Sequence, residues 1–477
     1  MNKNIIGCSL IALNLVPSTA KAEEKRPNIL LIITDQHSGK IMTQTGYPHV
    51  KTPGIDKIAS EGVTFTRSYC AYPVSVASRA AMMTGIMPSK SNEDLTAYPA
   101  IGKKMKNAGY ETAYLGKWHV SNSKIKDVAE WHGFETYKDM MNDSNTEKMT
   151  LDFLNKKHDK PFFLISSYLN PHDCCELARN ISGLGNKYHD GPVVEKMDVN
   201  SCPPLPANFN IPPDETEGFY CRRTPDSTDV KNFGKHPVKY WGETQWRQYM
   251  YGYDRLLEKV DNHIINVMNT LEKQGLLENP IIIYTSDHGD GHAMHQWNQK
   301  MNFYEEVVNI PFIVSWKGKT RAGVIDSKTL ISNGLDLYPT FCKLAGIDID
   351  ASIHGKDVSG FALKDSKQEK NDRNYIVSEI NQTYKSEKEK TPLVGRMVVT
   401  ENYKYYVFNV GKNKEQLFDL VKDPGELHPV TNSPEYKKEL LAHRQMLKEW
   451  IKKTSDPFYE SESTKKTKGK SDHNSEE

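Results

Sequence analysis

"NILLIITDQ", residues 28–36, is an apolar run that follows Pro27 and ends in two polar residues, Asp35 and Gln36. A short, continuous apolar run of this kind predicts a buried strand. Four similar runs occur further along the chain, with helical patterns between them: ETAYLG, PFFLISSYL, PIIIYTS and IPFIVSW. Alternating strands and helices predict an α/β sheet whose ligands bind at the carboxyl ends of the strands.

Helix boundaries are also visible in the sequence. Thr52 and Pro53 suit the N-cap and first position of a helix over PGIDKIASEG. After it, VTFTRSY predicts one strand. Two further helices are predicted, one that begins within 75–79 and stops after Thr84 at Gly85, and a long one over about 243–274 with Gly275 as its C-cap.

The N-terminus has the pattern of a secretory signal peptide. A short basic start is followed by an apolar run from Ile5 to Val16 and by an A-x-A cleavage site at residues 20–22. The run is too short to anchor the chain in a bilayer, so we expect an exported, periplasmic protein. IIGC at Cys8 resembles a lipoprotein box only loosely, because most of the apolar run follows it, and a surface lipoprotein is the less favoured alternative.

Charge and cysteine content narrow the function further. The 477 residues include 62 Lys and Arg against 61 Asp and Glu, and this balance gives no field that would attract nucleic acid. Export permits disulfides, but their pairing cannot be deduced from sequence; Cys202 with Cys221, or either with the 174/175 pair, are the candidates. No C-x-x-C motif occurs, which argues against a cysteine zinc site.

The chain changes character after about residue 365. RMVVTENYKYYVFN and EQLFDLVKDPGE predict antiparallel strands with a turn at residues 423–425, and a closing helix follows over about 434–453. Upstream, residues 173–240 are rich in Pro, Gly, Asn and Asp and predict a long loop. The resulting division is a signal peptide (1–22), a large α/β domain (23–365), a C-terminal subdomain (366–456) and a disordered low-complexity tail (457–477).

Polar residues follow four of the predicted strands, where an α/β sheet brings strand ends into one crevice. They are Asp35 and Gln36, Asp287 and His288, Lys117 and His119, and His172. Each alone is a common turn, cap or surface residue. Oxygen ligands without cysteine favour Ca²⁺ or Mg²⁺, while Lys117, Lys300 and Arg79 supply positive charge and Ser75 lies at a predicted helix start. A metal, cations and an oxygen nucleophile together suit the transfer of a tetrahedral anion.

Ser75-Val76-Ala77-Ser78-Arg79, followed by AAMMTGIMPS, resembles the C/S-x-P/A-x-R signature of type I sulfatases. NILLIITDQ, GYETAYLGKWH, NPHD, TSDHGD and QKMNFYEE resemble the other blocks of that family, in the family's order, and the resemblance covers about residues 27–455. More distantly, the chain is similar to alkaline-phosphatase-like metal hydrolases. The resemblance implies an alkaline-phosphatase-like sandwich: a large, mostly parallel or mixed central sheet flanked by helices, plus a smaller C-terminal α+β subdomain with an antiparallel sheet.

The resemblance also implies a nucleophile that needs no Ser-His-Asp triad. In this family the first signature residue, here Ser75, is oxidised to Cα-formylglycine (3-oxoalanine), whose hydrate is a geminal diol. One diol oxygen attacks sulfur, and deprotonation of the other hydroxyl expels sulfate, whereas plain serine would remain a stable sulfate ester. Arg79 would hold the diol.

Other roles follow from the resemblance, position by position. Asp35, Gln36, Asp287 and His288 would bind Ca²⁺ (Mg²⁺ is the alternative) together with formylglycine at position 75. Lys117 and Lys300 would bind sulfate oxygens, His119 would contact the diol, and His172 would be the general acid for the leaving alcohol.

Three positions depart from the commonest family pattern. Gln36 stands where Asp is more frequent and His288 where Asn is more frequent, and the first of these lowers the negative charge around the metal. Ala77 replaces Pro, which together with Ser75 implies maturation by an anaerobic, oxygen-independent sulfatase-maturing enzyme. An exported enzyme of an anaerobe is therefore expected.

The leading hypothesis is an exported carbohydrate sulfatase that removes an O-sulfate, rather than an N-sulfate, from a glycan such as a glycosaminoglycan or mucin sugar. The segment 173–240 and the C-terminal region would form its pocket, with substrate contacts at His292, His295, Trp297, Arg396 and Asn409. The alternatives are an arylsulfatase, a phosphate-ester hydrolase that uses unmodified Ser75, and a non-catalytic protein that binds sulfated glycans because its serine is never oxidised.

Overall fold

A computed structural model describes residues 26–91, 95–120, 127–192, 197–219, 237–277, 279–367, 373–385 and 390–459. Its strands are β1 (Ile29–Asp35), β2 (Gly62–Phe65), β3 (Ser68–Tyr69), β4 (Glu111–Gly116), β5 (Thr136–Asp139), β6 (Phe162–Pro171), β7 (Ile281–Ser286), β8 (Phe312–Ser315), β9 (Val324–Asp326), β10 (Ile331–Ser332), β11 (Ile376–Lys385), β12 (Lys390–Val399), β13 (Tyr403–Phe408) and β14 (Glu415–Asp419). Its α-helices are α1 (Pro53–Ser60), α2 (Ser75–Thr84), α3 (Pro88–Ser91), α4 (Ile101–Asn107), α5 (Val128–His132), α6 (Asp143–Leu154), α7 (Cys174–Ile181), α8 (Glu243–Lys273), α9 (Glu305–Val308), α10 (Asn333–Leu344) and α11 (Lys437–Thr454).

The main sheet has eight strands in the order β5-β4-β6-β1-β7-β8-β2-β9. Neighbouring strands are parallel except where β8 runs antiparallel to both β7 and β2. β1 lies between β6 and β7, with Leu31 paired to Ile165 on one side and to Ile283 on the other. Because β4, β6, β1 and β7 are parallel, their carboxyl ends meet at one edge, as the apolar runs predict.

Helices cover both faces of this sheet. Ile29, Leu31 and Ile33 of β1 pack into one cluster, which includes residues of α2, α4 and α10. Leu30 and Ile32 face the opposite way and pack with residues of α1, α6, α7 and α8. Successive side chains of a strand point to opposite faces, so a continuous apolar run is what a strand buried on both faces requires.

The predicted helix starts are confirmed, with one addition. α1 begins at Pro53 with Thr52 as its N-cap residue, and α2 ends at Thr84 with Gly85, whose φ of 70° is left-handed, as its C-cap. The C-cap of α8 is Gln274, one residue before the predicted Gly275. The addition is Asp261 of α8, whose two carboxylate oxygens accept the N–H groups of Gly54 and Ile55, each at 2.8 Å. A buried carboxylate of the longest helix therefore caps the start of α1.

The C-terminal part contains the predicted antiparallel sheet, in the order β11-β12-β13-β14. Its β12, β13 and β14 include the segments that the sequence indicates, and α11 is the predicted closing helix. β11 is an additional strand that the sequence patterns do not indicate. Leu440, Leu447 and Ile451 of α11 pack in one cluster with Val398 of β12.

Two local predictions are wrong. VTFTRSY is not one strand: β2 belongs to the main sheet, whereas β3 leaves it and pairs with β10. The predicted loop 173–240 contains α7, because its apolar residues Cys174, Leu177 and Ala178 recur at helical spacing and pack in the cluster that contains α8.

Several sequence predictions concern residues outside the described ones: the signal peptide with Cys8, the position of Cys221, and the tail from residue 460. The proposed pairing of Cys202 with Cys174 or Cys175 is wrong, because all three are free, buried thiols. In the described part of the chain, no helix is both long and apolar enough to cross a membrane.

Candidate active site

Ser75 is the first residue of α2, and only 1% of it is exposed. Its Oγ donates to Asp35 Oδ2 at 3.1 Å and lies 3.0 Å from His288 Nε2. The ten-residue helix turns its N-terminus towards this point, so its dipole favours an anion there. Val74, in extended conformation, lets the chain enter the helix with Ser75 directed at the ends of β1 and β7.

Hydrogen bonds connect the residues at the carboxyl ends of β1 and β7. Asp35 is the last residue of β1, and Asp287 and His288 follow β7. Asp287 Oδ1 accepts the N–H groups of Gln36 at 3.1 Å and of His288 at 2.9 Å. The structure therefore brings these predicted metal ligands together around the Ser75 hydroxyl.

The donor set fits a divalent cation. One ligand atom each from Asp35, Asp287 and His288 lies within 4.8 Å of the others, and all three side chains are buried. Asp35 Oδ1 is buried and has no hydrogen-bond partner among the described residues. His288 Nδ1 lies 2.9 Å from the Gly289 carbonyl and donates to it, which leaves the Nε2 lone pair for a metal.

Protonation states agree with this set. Burial opposes ionisation of Asp35, but the charges of Lys117, His172 and Arg79 outweigh it and hold the pKa of Asp35 well below its usual range. Burial lowers the pKa of His288 to about 4, against the opposing charge of Asp287. Near neutral pH the site thus offers a carboxylate and a neutral imidazole, the forms that bind metals.

Cations surround the same point. Arg79 donates from Nε to Asp287 Oδ2 at 2.8 Å and from a terminal nitrogen to Asp35 Oδ2 at 3.1 Å. Lys117 is completely buried, with Nζ 2.6 Å from Asp35 Oδ2. Lys300, partly buried, donates to Gln36 Oε1 at 3.1 Å and lies 3.4 Å from His288 Nε2. Three cations beside two carboxylates create a site for an anion.

Two predicted histidines lie at the outer side of this cluster. His119 is exposed and has a left-handed φ of 47°. His172 follows β6; burial and the charges of Lys117 and Lys300 hold its pKa well below its usual range. His172 Nδ1 has no hydrogen-bond partner among the described residues, so the ring can receive one from a ligand.

The structure places the predicted substrate contacts against partners within the protein. His292 is fully buried, and its Nε2 lies 3.0 Å from Asp254 Oδ1. The His295 ring stacks on the Tyr304 ring, with 3.8 Å between the ring centroids. Trp297 is buried, and its Nε1 donates to the Lys300 carbonyl. Arg396 is buried, with its guanidinium on the Asp456 carboxylate at 2.6 and 2.7 Å, and Asn409 Oδ1 accepts the Val394 N–H. Each of these five side chains thus contacts other residues of the protein, and a role in substrate binding stays a prediction.

Three site residues were missed by sequence reasoning. Tyr253 donates to the Gln36 carbonyl at 2.7 Å, and Tyr249, one turn earlier on α8, donates to Asp290 at 2.9 Å. Asp290 in turn accepts from Gln36 Nε2 at 2.7 Å. Asp290 stands in the TSDHGD block without an assigned role, and the two tyrosines, four residues apart on a helix that packs against the sheet, have the spacing of ordinary core residues.

A hydroxyl at a helix start, a donor set that fits a divalent cation and excess positive charge together suit the hydrolysis of an anionic ester. A model of the sulfatase family matches residues 27–347, so the chain belongs to that family and is a sulfuric ester hydrolase. A second model, N-sulphoglucosamine sulphohydrolase, C-terminal, matches residues 293–455.

Individual relatives span almost the whole chain. A Delta 4,5-hexuronate-2-O-sulfatase of Bacteroides thetaiotaomicron is 30% identical, covering 94% of this chain and 93% of its own. An N-acetylglucosamine-6-O-sulfatase of the same species is 26% identical, covering 95% and 92%.

Solved structures confirm the alkaline-phosphatase-like fold. A 2-O glycosaminoglycan sulfatase superposes with a TM-score of 0.75 at 28% identity, covering 91% of this chain and 94% of that chain. A phosphonate monoester hydrolase of Agrobacterium radiobacter has a TM-score of 0.72 at 20% identity, covering 91% and 97%, and is similar in fold alone.

Proposed function

We propose that this sulfatase removes an O-sulfate from a glycosaminoglycan-derived sugar by means of formylglycine made from Ser75. The observation that carries the proposal is the position of the Ser75 hydroxyl, 3.1 Å from Asp35 and 3.0 Å from His288, inside a cluster of buried cations. A simple structural serine would not require Arg79 and Lys117 to be buried beside it.

The metal would be Ca²⁺, with Mg²⁺ as the alternative, held by Asp35, Gln36, Asp287 and His288 together with the oxygen of residue 75. When bound, it would supply positive charge next to that oxygen and the sulfate. Two observations support this metal site. Asp35 Oδ1 has no hydrogen-bond partner among the described residues, and the His288 Nε2 lone pair is left for a metal because Nδ1 donates to the Gly289 carbonyl. Hard oxygen ligands favour these two cations.

Some of the other residues would bind residue 75 and the sulfate, and others would transfer protons. Arg79 would fix residue 75, while Lys117 and Lys300 would hold sulfate oxygens. The unmodified serine hydroxyl cannot expel sulfate, whereas formylglycine, as its hydrate, carries the second hydroxyl that can; His119 would accept its proton. His172 would donate a proton to the leaving oxygen. Burial, and then the charges of Lys117 and Lys300, lower its pKa, and the charge of a bound sulfate would offset the two lysines.

The substrate class follows from the relatives. The two Bacteroides relatives are named for 2-O-sulfated unsaturated hexuronate and for 6-O-sulfated N-acetylglucosamine. We propose that this chain acts on the same class of sugars after export to the periplasm by its signal peptide (1–22). An anaerobic sulfatase-maturing enzyme would be its partner during synthesis.

The test is desulfation of defined sugars by protein made with and without an anaerobic maturase. The panel contains unsaturated disaccharides with 2-O-sulfated hexuronate, 6-O-sulfated N-acetylglucosamine, an aryl sulfate and a phosphonate monoester. We expect sulfate release from at least one sugar by the matured protein only. Release from the aryl sulfate but from none of the sugars would overturn the substrate class.

A second candidate is hydrolysis of phosphate or phosphonate esters by unmodified Ser75, since the fold is shared with a phosphonate monoester hydrolase. It predicts turnover of the phosphonate monoester by protein made without the maturase. That result, with no sulfate release after maturation, would replace the proposal.

A further inference from the structure

Asp290 lies behind the metal-site residue Gln36 and accepts hydrogen bonds from five groups, of which the Cys174 thiol at 3.6 Å is the most distant. Gln36 Nε2 donates to its Oδ2 at 2.7 Å, and the Tyr249 hydroxyl lies 2.9 and 3.0 Å from its two oxygens. The backbone N–H groups of His292 and Gln299 each donate at 2.8 Å. Asp290 is fully buried, and every one of these partners is a donor, as an acceptor-only carboxylate requires.

The two ends of the Gln36 amide face groups of opposite character. Its oxygen accepts from Lys300 Nζ at 3.1 Å, while its nitrogen donates to Asp290 and to Cys174 Sγ at 3.2 Å. An ammonium only donates and a carboxylate only accepts. A flipped amide would place oxygen against carboxylate and NH₂ against ammonium, so these contacts permit one orientation.

The backbone of Gln36 is fixed as well. Its φ of 72° is left-handed, which is uncommon for glutamine. Asp287 Oδ1 accepts its N–H at 3.1 Å, and the Tyr253 hydroxyl donates to its carbonyl at 2.7 Å. These contacts leave only the orientation of the Gln36 side-chain amide undetermined, and the hydrogen bond to Asp290 fixes that orientation.

We propose that Asp290 is a positioning residue that keeps the oxygen of the Gln36 amide, and not its nitrogen, directed at the metal. The inference rests on the proposed function, because it takes Gln36 as a metal ligand. It also explains an amide at position 36: a carboxylate there would lie against the carboxylate of Asp290, whereas an amide meets it with a donor.

Calcium affinity of the purified, matured full-length chain, titrated calorimetrically after chelation, tests the proposal in a double-mutant cycle. We expect Asp290→Asn to weaken Ca²⁺ binding by about 10- to 100-fold, the usual effect of losing a partner of a metal ligand. Gln36→Ala should weaken binding as well, and the double variant should bind no more weakly than Gln36→Ala. Independent, multiplying losses would overturn the proposal.

Gln36→Glu decides the matter even if Asp290→Asn fails to fold. An added carboxylate ligand normally tightens Ca²⁺ binding. Here one oxygen of Glu would replace the nitrogen that lies 2.7 Å from Asp290, so we expect binding no tighter than in the unaltered chain. Tighter binding would overturn the proposal.

Asp261→Asn is the matched control, because Asp261 is also buried and bonded to two N–H groups but does not touch Gln36. It should lower the melting temperature and leave Ca²⁺ affinity unchanged. If Asp261→Asn weakened Ca²⁺ binding as much as Asp290→Asn, the effect would be structural and the proposal wrong. If the unaltered chain bound no Ca²⁺ or Mg²⁺, the metal site of the proposed function would fail, and this inference with it.

Discussion

The strand-end site and the C-terminal sheet both bury charge, but they balance it differently. At the strand ends, Arg79 and Lys117 share the carboxylates of Asp35 and Asp287, and Lys300 adds a third positive charge. One carboxylate oxygen of Asp35 keeps no hydrogen-bond partner among the described residues. The site thus combines excess positive charge, which suits an anionic ligand, with the Asp35 Oδ1 atom, which can bind a cation.

In the C-terminal part, acids outnumber the cations that they surround. Lys404 Nζ lies 2.9 Å from both Glu305 and Glu426, and Arg396 lies between Asp456 and Glu379. These cations are satisfied by the protein itself. The contrast shows that burial alone does not identify a functional cation: what differs is the balance of charge, with cations in excess at the strand ends and acids in excess around Lys404 and Arg396.

The largest expected effect separates two lysines that are both completely buried. Lys117→Met should lower kcat by about 10²- to 10³-fold, because a preorganised charge is lost, while Arg79 still pairs with Asp35 and preserves stability. Lys404→Met should keep turnover per folded molecule but lose about 3–5 kcal/mol of unfolding free energy, because two buried carboxylates lose their cation. Kinetics and urea unfolding of both variants check this. The reverse pattern would contradict the comparison.

Arg396 sharpens the same contrast, since the sequence indicated it as a substrate contact. Arg396→Met should cost about 3–5 kcal/mol of unfolding free energy, because Asp456 and Glu379 would remain buried without their cation. KM should stay unchanged at temperatures where the variant is folded. Arg444→Met is the control: its pair with Glu415 is exposed and should contribute at most about 1 kcal/mol. A raised KM with intact stability would restore Arg396 to the substrate pocket.

A smaller effect concerns pH and Glu426. Burial, opposed by Lys404, raises the pKa of Glu426 from 4.5 to about 7. The folded state then holds a proton that the unfolded state releases, so stability is lost as pH rises from 4.5 to 7, with a slope of up to about 1.4 kcal/mol per pH unit. Glu426→Gln should flatten this part of a stability-against-pH curve. An unchanged slope would show that Glu426 stays ionised.

His132, in the large α/β part, should give the opposite slope. Burial lowers its pKa from 6.5 to about 4, and its Nδ1 accepts the Phe134 N–H at 2.9 Å. The unfolded state binds more protons between these values, so stability is lost as pH falls from 6.5 to 4. His132→Phe should reduce that loss, whatever its effect at neutral pH. Denaturant midpoints measured across this range decide, and equal slopes would contradict the assignment.

The sequence predicts the main sheet well because its central strands are buried on both faces. Every position of β1, β6 and β7 is buried, so each appears as a mostly apolar run. The division between β2 and β3 escapes prediction because a two-residue strand has no measurable period. Which sheet it joins depends on β10, far away in the chain.

The site is only partly visible in the sequence for a similar reason. Asp35 and Asp287 could be found because polar residues that end apolar strands meet at one edge. The buried positions of His292 and His295 could not be predicted, because the partner of each ring, Asp254 or Tyr304, is set by the fold and not by the adjacent sequence. Asp290 stands in the TSDHGD block, but the sequence does not show that it accepts hydrogen bonds from Gln36 and Tyr249, because both partners lie far away in the chain.

The most direct test of the central claim is the mass of the peptide that contains Ser75, measured with sulfate release on the same samples. Protein made with and without an anaerobic maturase provides samples with different extents of modification. We predict that active samples contain a peptide lighter by two hydrogen atoms and that turnover scales with the modified fraction. Full sulfatase turnover by protein whose Ser75 is entirely unmodified would contradict the account.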